Sequence, residues 1–253
     1  LEDPDKYFTA KTKFVAVIHQ SNVLGTINPV KDIVRMAHDV GAVTLVDGAQ
    51  WVPHGRTDIK DIDCDFYAFS GHKMLGPTGI GILYGKPELL EKMQPFQGGG
   101  EMIRSVTMEQ STWNDIPYKF EAGTPNIAQA IGLGAAVKYI KGIGLDVIQN
   151  HCQDLTKYAM KKLTIMDSIK IHGNHHDRGP VISFEVTGVH PQDLAQFLDQ
   201  DGIAIRAGQL CAQPIMDKLG VFATNRASFY IYNNEKDIDI FCESIEKTTK
   251  IFA

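Results

Sequence analysis

The sequence predicts an α/β protein: a large domain over residues 1–140 built on a mainly parallel sheet, then a C-terminal α+β small domain over residues 141–253. Three observations carry this. The first half alternates short apolar runs with helical patterning, Val43-Thr44-Leu45-Val46 is apolar on both faces as a buried parallel strand is, and the second half mixes strands and helices in a different rhythm. At 253 residues the chain is long enough for one large or two smaller cores.

Residues 13–19 form a short β-rich run. In 29–40 apolar residues recur at helical spacing until Gly41 stops them, and 43–46 follows as the buried strand. Residues 65–69 and 79–84 add two strand candidates. The stretch from Gln97 to Phe120 is glycine-rich, then polar and aromatic, and reads as a long functional or interfacial loop. Residues 126–166 are helical with a break at Gly142 and Gly144. Strands are expected at 168–171, 181–186, 203–205 and 227–231, with helices at 191–200 and 235–251.

Hydrophobic residues make up 43% and charged residues 22%, which is a globular balance. A net charge of -5 with no basic run argues against a nucleic-acid binder, and no apolar run reaches membrane-spanning length. A soluble protein acting on a small molecule is expected. The four cysteines, Cys64, Cys152, Cys211 and Cys242, lack the short paired spacings of a zinc site or disulfide scaffold. No metal is expected, and the compartment reads as reducing, the cytoplasm.

The chemistry centres on Lys73, in Phe69-Ser70-Gly71-His72-Lys73, at a strand end and followed by Gly-Pro-Thr-Gly. Such a lysine suggests Schiff-base formation, for which the amine must be desolvated and near other cationic or polar groups; the alternative is a surface lysine after a strand. Asp47 ends an apolar strand, facing the crevice where α/β sheets bind ligands. There a carboxylate can pair with a protonated pyridine nitrogen, as enzymes tune pyridoxal phosphate; the alternative is an Asx turn before Gly48. Ser70 and His72 offer donors to a phosphate. A nucleotide-type phosphate loop is rejected because Gly-x4-Gly-Lys-Ser/Thr is absent.

Gln50, in the same turn as Asp47, can reach a ring hydroxyl or be a solvated amide; Asn22, after the first strand, can bond the ring oxygen, whereas His19 is as well read as structural. Arg206 and Arg226 suit bidentate capture of a substrate carboxylate, Arg226 in the leading role; either alone is more often a surface ion-pair partner. Cys211, in Arg206-Ala-Gly-Gln-Leu-Cys-Ala-Gln-Pro214, is the one cysteine in a loop context, which favours a usable thiolate. Together these features suggest cofactor chemistry on a sulfur substrate.

The motifs Ser21-Asn-Val-Leu-Gly-Thr26, Val46-Asp-Gly-Ala-Gln50, Asp65 through Tyr84, Phe120-Glu-Ala-Gly-Thr-Pro-Asn126 and Arg206 through Pro214 resemble, in order, those of SufS-type cysteine desulfurases. These enzymes belong to the class V aminotransferase group. The resemblance implies an aspartate-aminotransferase-like (fold type I) large domain, pyridoxal 5'-phosphate and a homodimer. It implies that Lys73 forms the Schiff base, Asp47 pairs with the pyridine nitrogen, and Gln50 and Asn22 contact the ring oxygen. Ser70 and His72 are implied as phosphate ligands, with Thr124 reaching the phosphate of a partner subunit. Arg206 and Arg226 are implied to hold the substrate carboxylate, and Cys211 to take sulfur from L-cysteine as a persulfide. A sulfur-acceptor protein of the SufE or SufU kind and a role in iron-sulfur cluster assembly follow from the same resemblance.

Two departures accompany it. Where the family carries a histidine pair before the cysteine, this chain has Gln209-Leu210. The family's N-terminal portion, with its glycine-threonine phosphate turn and ring-stacking histidine, has no counterpart here, so the large domain is expected to be partial. The chain is accordingly expected to be a fragment of a longer polypeptide or one part of a split protein. Alternative activities are a selenocysteine lyase or related class V aminotransferase, with L-selenocysteine as substrate, or a catalytically inactive fragment or binding subunit.

Overall fold

The computed structural model describes residues 3–173 and 178–252. Their contacts fall into two units, one of residues 3–19, 29–53 and 57–142, the other of residues 20–28, 54–56 and 143–252.

In the first unit β1 (Phe14–Ile18), β2 (Val43–Asp47) and β3 (Phe66–Ser70) run parallel in that order, and β4 (Gly81–Gly85) adds antiparallel to β3. Register places Ile18 beside Asp47 and Asp47 beside Ala68, so the C-terminal ends of the three parallel strands lie level. Helix α1 (Val30–Asp39) packs on β1 and β2 through Val30, Ile33, Val34 and Ala37, the one-sided stripe of an amphipathic helix. Its path ends at Gly41, whose φ of +75° suits glycine. Val30, Val34, Val46, Ile62, Cys64 and Tyr67 form the core beneath.

The N-terminal ends of β2 and β3 are tied by charge. The Asp65 carboxylate accepts from the Thr44 backbone N–H at 2.7 Å, the Thr44 hydroxyl at 2.9 Å and His38 Nε2 at 2.9 Å, and meets Lys86 Nζ at 3.2 Å. Short helices α2 (Ile59–Ile62) and α3 (Pro87–Lys92) flank the sheet sequence. The long loop expected between Gln97 and Phe120 contains instead a hairpin, β5 (Ile103–Val106) and β6 (Ser111–Trp113). Thr107 closes its turn, its hydroxyl accepting from the backbone N–H groups of Glu109 and Gln110. Helix α4 (Ile127–Ile143) buries Leu133, Ala136 and Ile140.

The second unit is antiparallel. Strands β7 (Ile169–His172), β8 (Val181–Val186), β9 (Arg206–Gly208) and β10 (Thr224–Ser228) lie in the order β7-β8-β10-β9. Helices α5 (Leu145–Leu163), α6 (Pro191–Gln200) and α8 (Glu235–Phe252) supply Leu155, Leu163, Leu194, Leu198, Ile238 and Ile245 to a core with Ile182, Phe184 and Ala227. Residues 203–205 are not the expected strand. Ile203 and Ile205 pack against the core, and pairing begins at Arg206, opposite Arg226. The short helix α7 (Gln213–Leu219), absent from the sequence reading, starts with Pro214 in its first turn and ends at Gly220, φ +71°.

Candidate active site

In the first unit the expected residues gather along the C-terminal edge of the parallel strands, where such sheets bind ligands. Asp47, the last residue of β2, is exposed, and its Oδ1 accepts the Ala49 backbone N–H at 2.9 Å. The Asx turn considered as an alternative therefore exists; it occupies one carboxylate oxygen and leaves the other open. The turn is braced from below. A Cβ on Gly48 would lie 2.2 Å from the Tyr67 ring, so only glycine fits. The Tyr67 hydroxyl in turn lies 2.8 Å from His19 Nδ1. His19 is buried, its pKa lowered to about 4 by that burial, which fits the structural role.

Ser70 ends β3, and a 3-10 turn over Gly71–Met74 carries His72 and Lys73, both exposed. The turn is tight: Gly71 N–H donates to the Ile80 carbonyl at 2.9 Å, Gly76 N–H to the Gly71 carbonyl at 3.0 Å, and a Cβ on Gly76 would sit 2.7 Å from that carbonyl oxygen. Asn126, just ahead of α4, donates through Nδ2 to the Gly79 carbonyl at 2.6 Å and so ties the segment after Lys73 to the helix. Thr124 is exposed in the same approach to α4, next to Gly123, whose N–H donates to the Gly100 carbonyl at 2.9 Å. The side chains of Gln50, Ser70, His72, Lys73 and Thr124 make no hydrogen bond among the described residues. These polar groups, an amine, an imidazole, two hydroxyls and an amide as donors and the open oxygen of Asp47 as acceptor, fit a phosphorylated pyridine cofactor.

The second unit assembles the other expected residues. Asn22 Nδ2 donates to the Leu210 carbonyl at 2.8 Å, and Arg226 Nη1 donates to the Asn22 carbonyl at 2.9 Å. Arg226 Nε also donates to Ser228 Oγ at 3.1 Å. Arg206 Nη2 lies 4.0 Å from Cys211 Sγ. Leu210 and Cys211 both have left-handed backbones, φ +56° and +58°, a conformation costing non-glycine residues about 1–2 kcal/mol each. Burial, and then the like charge of Arg206, lower the Arg226 guanidinium from its usual value. Among the described residues neither arginine has a carboxylate partner, although they sit opposite each other across β9 and β10.

Cys211 is exposed, whereas Cys64, Cys152 and Cys242 are buried and their thiols pushed up by burial to about 11, 12 and 11. Sequence reasoning missed Tyr67, Asn126 and Leu210. Asn126 stands in a quoted motif, but its target, a loop carbonyl 47 residues earlier, has no sequence signal.

Residues 1–241 match the class-V aminotransferase family model. The chain belongs to that family. It is 53% identical over 253 residues to a probable cysteine desulfurase of Halalkalibacterium halodurans, covering all of this chain and 62% of that protein. It is 52% identical to a cysteine desulfurase of Haloferax volcanii, covering 100% of this chain and 60% of that one. The crystal structure of the cysteine desulfurase CsdA from Escherichia coli superimposes with a TM-score of 0.95 at 38% identity, over 100% of this chain and 64% of that chain. The fold is thus that of the aspartate-aminotransferase-like (fold type I) desulfurases, and the chain spans about three fifths of the length of these class-V relatives. No helix among the described residues is long and apolar enough to cross a membrane.

Proposed function

We propose that the protein is a pyridoxal 5'-phosphate-dependent cysteine desulfurase that converts L-cysteine to L-alanine and carries the sulfur as a persulfide on Cys211. The observation that carries this reading is in the second unit: an exposed thiol at 4.0 Å from Arg206, which faces Arg226 with no carboxylate on either among the described residues. Two guanidiniums with no carboxylate partner among the described residues, one of them beside a thiol, suit an amino-acid carboxylate next to a sulfur to be taken.

When bound, the cofactor supplies an electron sink for cleavage at the substrate. Lys73 would offer the amine that anchors it and would move the α-proton; Asp47 would hold a proton on the pyridine nitrogen through its open oxygen. Gln50 and Asn22 would serve the ring oxygen, and Ser70 and His72, with Thr124 toward a partner subunit, would hold the phosphate. Of the Asn22 amide, Nδ2 is engaged by Leu210, which leaves Oδ1 and the second N–H for this task. Arg226 and Arg206 orient the substrate. The Cys211 thiolate forms an S–S bond as the substrate C–S bond breaks; the electron pair left on carbon takes a proton and alanine leaves.

The persulfide passes to an acceptor of the SufE or SufU kind for iron-sulfur cluster assembly, in the cytoplasm, from a homodimer. The free thiols of all four cysteines support a reducing compartment. The test is alanine release from L-cysteine by the purified protein and by Cys211→Ala. Loss of release in the variant with cofactor absorbance intact supports the reading. Release from L-selenocysteine that survives Cys211→Ala would move the assignment to a selenocysteine lyase, and a colourless, inactive wild type to a binding subunit.

A further inference from the structure

The residue before the nucleophile is the least expected feature of the second unit. Leu210 is only 3% exposed, with its side chain among Val23, Met216, Leu24, Ile215 and Val221. Its carbonyl is held by the Asn22 amide, and Asn22 is itself fixed on both sides. Arg226 donates to its carbonyl, Ser21 Oγ accepts from the Val23 and Leu24 N–H groups, and Ser183 Oγ donates to the Val23 carbonyl at 2.6 Å. The turn is closed by Ala212 N–H donating to the Gln209 carbonyl at 3.0 Å. Cys211 therefore follows a residue fastened at two points, by side chain and by carbonyl. Its own left-handed backbone then sets where the thiol points.

We infer that Leu210 is a positioning residue, and that its apolar side chain together with the Asn22 Nδ2 bond forms a two-point anchor holding the Cys211 thiol beside Arg206. The anchor opposes the strain of two successive left-handed residues, which without it relax toward the β region and swing the thiol away. A leucine at position 210 then supplies placement, since its side chain turns into the core and not toward the thiol.

The inference rests on the desulfurase reading for its consequence but is tested separately from it. A nitroxide label on Cys211 reports the turn's mobility without cofactor or substrate, the other three cysteines being buried. The label is expected to be slow in the wild type, fast in Leu210→Ala and in Asn22→Asp, which keeps the amide's shape but has no N–H for the carbonyl, and slow again in Leu210→Met, which refills the pocket. In the unlabelled proteins, kcat for alanine release falls roughly ten- to a hundredfold in Leu210→Ala, the loss expected for a misplaced nucleophile, and recovers in Leu210→Met, while KM for L-cysteine changes less than twofold. Equal label mobility in the wild type, Leu210→Ala and Asn22→Asp overturns the anchor, as does an unchanged kcat in Leu210→Ala. Should Leu210→Ala fail to fold, Leu210→Met and Asn22→Asp decide the matter by label mobility alone. A wild type that makes no alanine yet shows the expected mobilities keeps the anchor and removes the desulfurase reading.

Discussion

The imidazole of His19 lies flat against the indole of Trp51, ring centroids 4.5 Å apart and planes inclined by 21°. With Nδ1 near the Tyr67 hydroxyl, this ring is wedged beneath the strand ends that carry Asp47 and is held neutral. In the second unit His54, edge-on to Tyr230 and 3.8 Å from the Cys152 sulfur, is likewise lowered by burial to about 4.

Both histidines make the fold sensitive to acid. Each has a folded pKa near 4 and an ordinary value of 6.5, so between these limits the unfolded chain binds more protons and stability falls as pH drops. Between pH 7 and pH 5 the loss is about 2 kcal/mol for the buried His19 and less for His54, which is only partly buried. Denaturant midpoints across this range are expected to fall steeply in the wild type and less so in His54→Gln; an unchanged slope in that variant would show that His54 titrates normally in the fold.

Gly48→Ala places a methyl group inside the Tyr67 ring volume. Since Tyr67 is buried and backed by His19, the ring has nowhere to move, and destabilisation of about 2–3 kcal/mol is expected. Thermal melts of Gly48→Ala and of Gly48→Ala/Tyr67→Leu check the cause, because the smaller side chain is expected to recover part of the loss.

Asp65 is the charged knot at the opposite ends of the strands. Burial raises its pKa, but His38, Thr44 and Lys86 outweigh that and hold the carboxyl below the usual range. A depressed carboxylate contributes stability at neutral pH and loses it as pH falls through the folded value. Asp65→Asn is expected to cost about 2–4 kcal/mol, by leaving Lys86 and the Thr44 donors poorly matched, with no change in the number of reactive thiols.

Thiol titration separates Cys211 from the rest. One cysteine is expected to react rapidly with a disulfide reagent at neutral pH in the native protein and four after denaturation, since burial keeps Cys64, Cys152 and Cys242 protonated. Fast native reaction in Cys211→Ala would contradict this.

The buried strands β2 and β3 were legible because their apolar runs leave no alternative environment, and α6 because Pro191 and a helical stripe mark it from end to end. The catalytic candidates were legible as motifs, since Lys73, Asp47 and Cys211 each stand at a strand end or in a glycine-bearing turn. What stayed hidden depends on contacts distant in sequence. The Ile203–Ile205 run looks like a strand, yet only Arg206 onward has a partner, and nothing local tells Asn22 that its amide belongs to Leu210. The hairpin at β5 and β6 was obscured by its exposed polar composition, which resembles loop until Thr107 is seen to close it.

Residues 20–28 fold with the second unit, although they lie between β1 and α1 in the chain. Asn22 meets Leu210 across 188 residues and Arg226 across 204. The second unit therefore cannot close until β9 and β10 have been made, whereas the residues of the first all lie before residue 143. Such distant closures slow folding and leave apolar Val23 and Leu24 uncovered during translation. Closure of the Asn22–Leu210 contact is thereby a late event in the folding of these residues, and Cys211 comes under its anchor only once the strand carrying Arg226 has also been made.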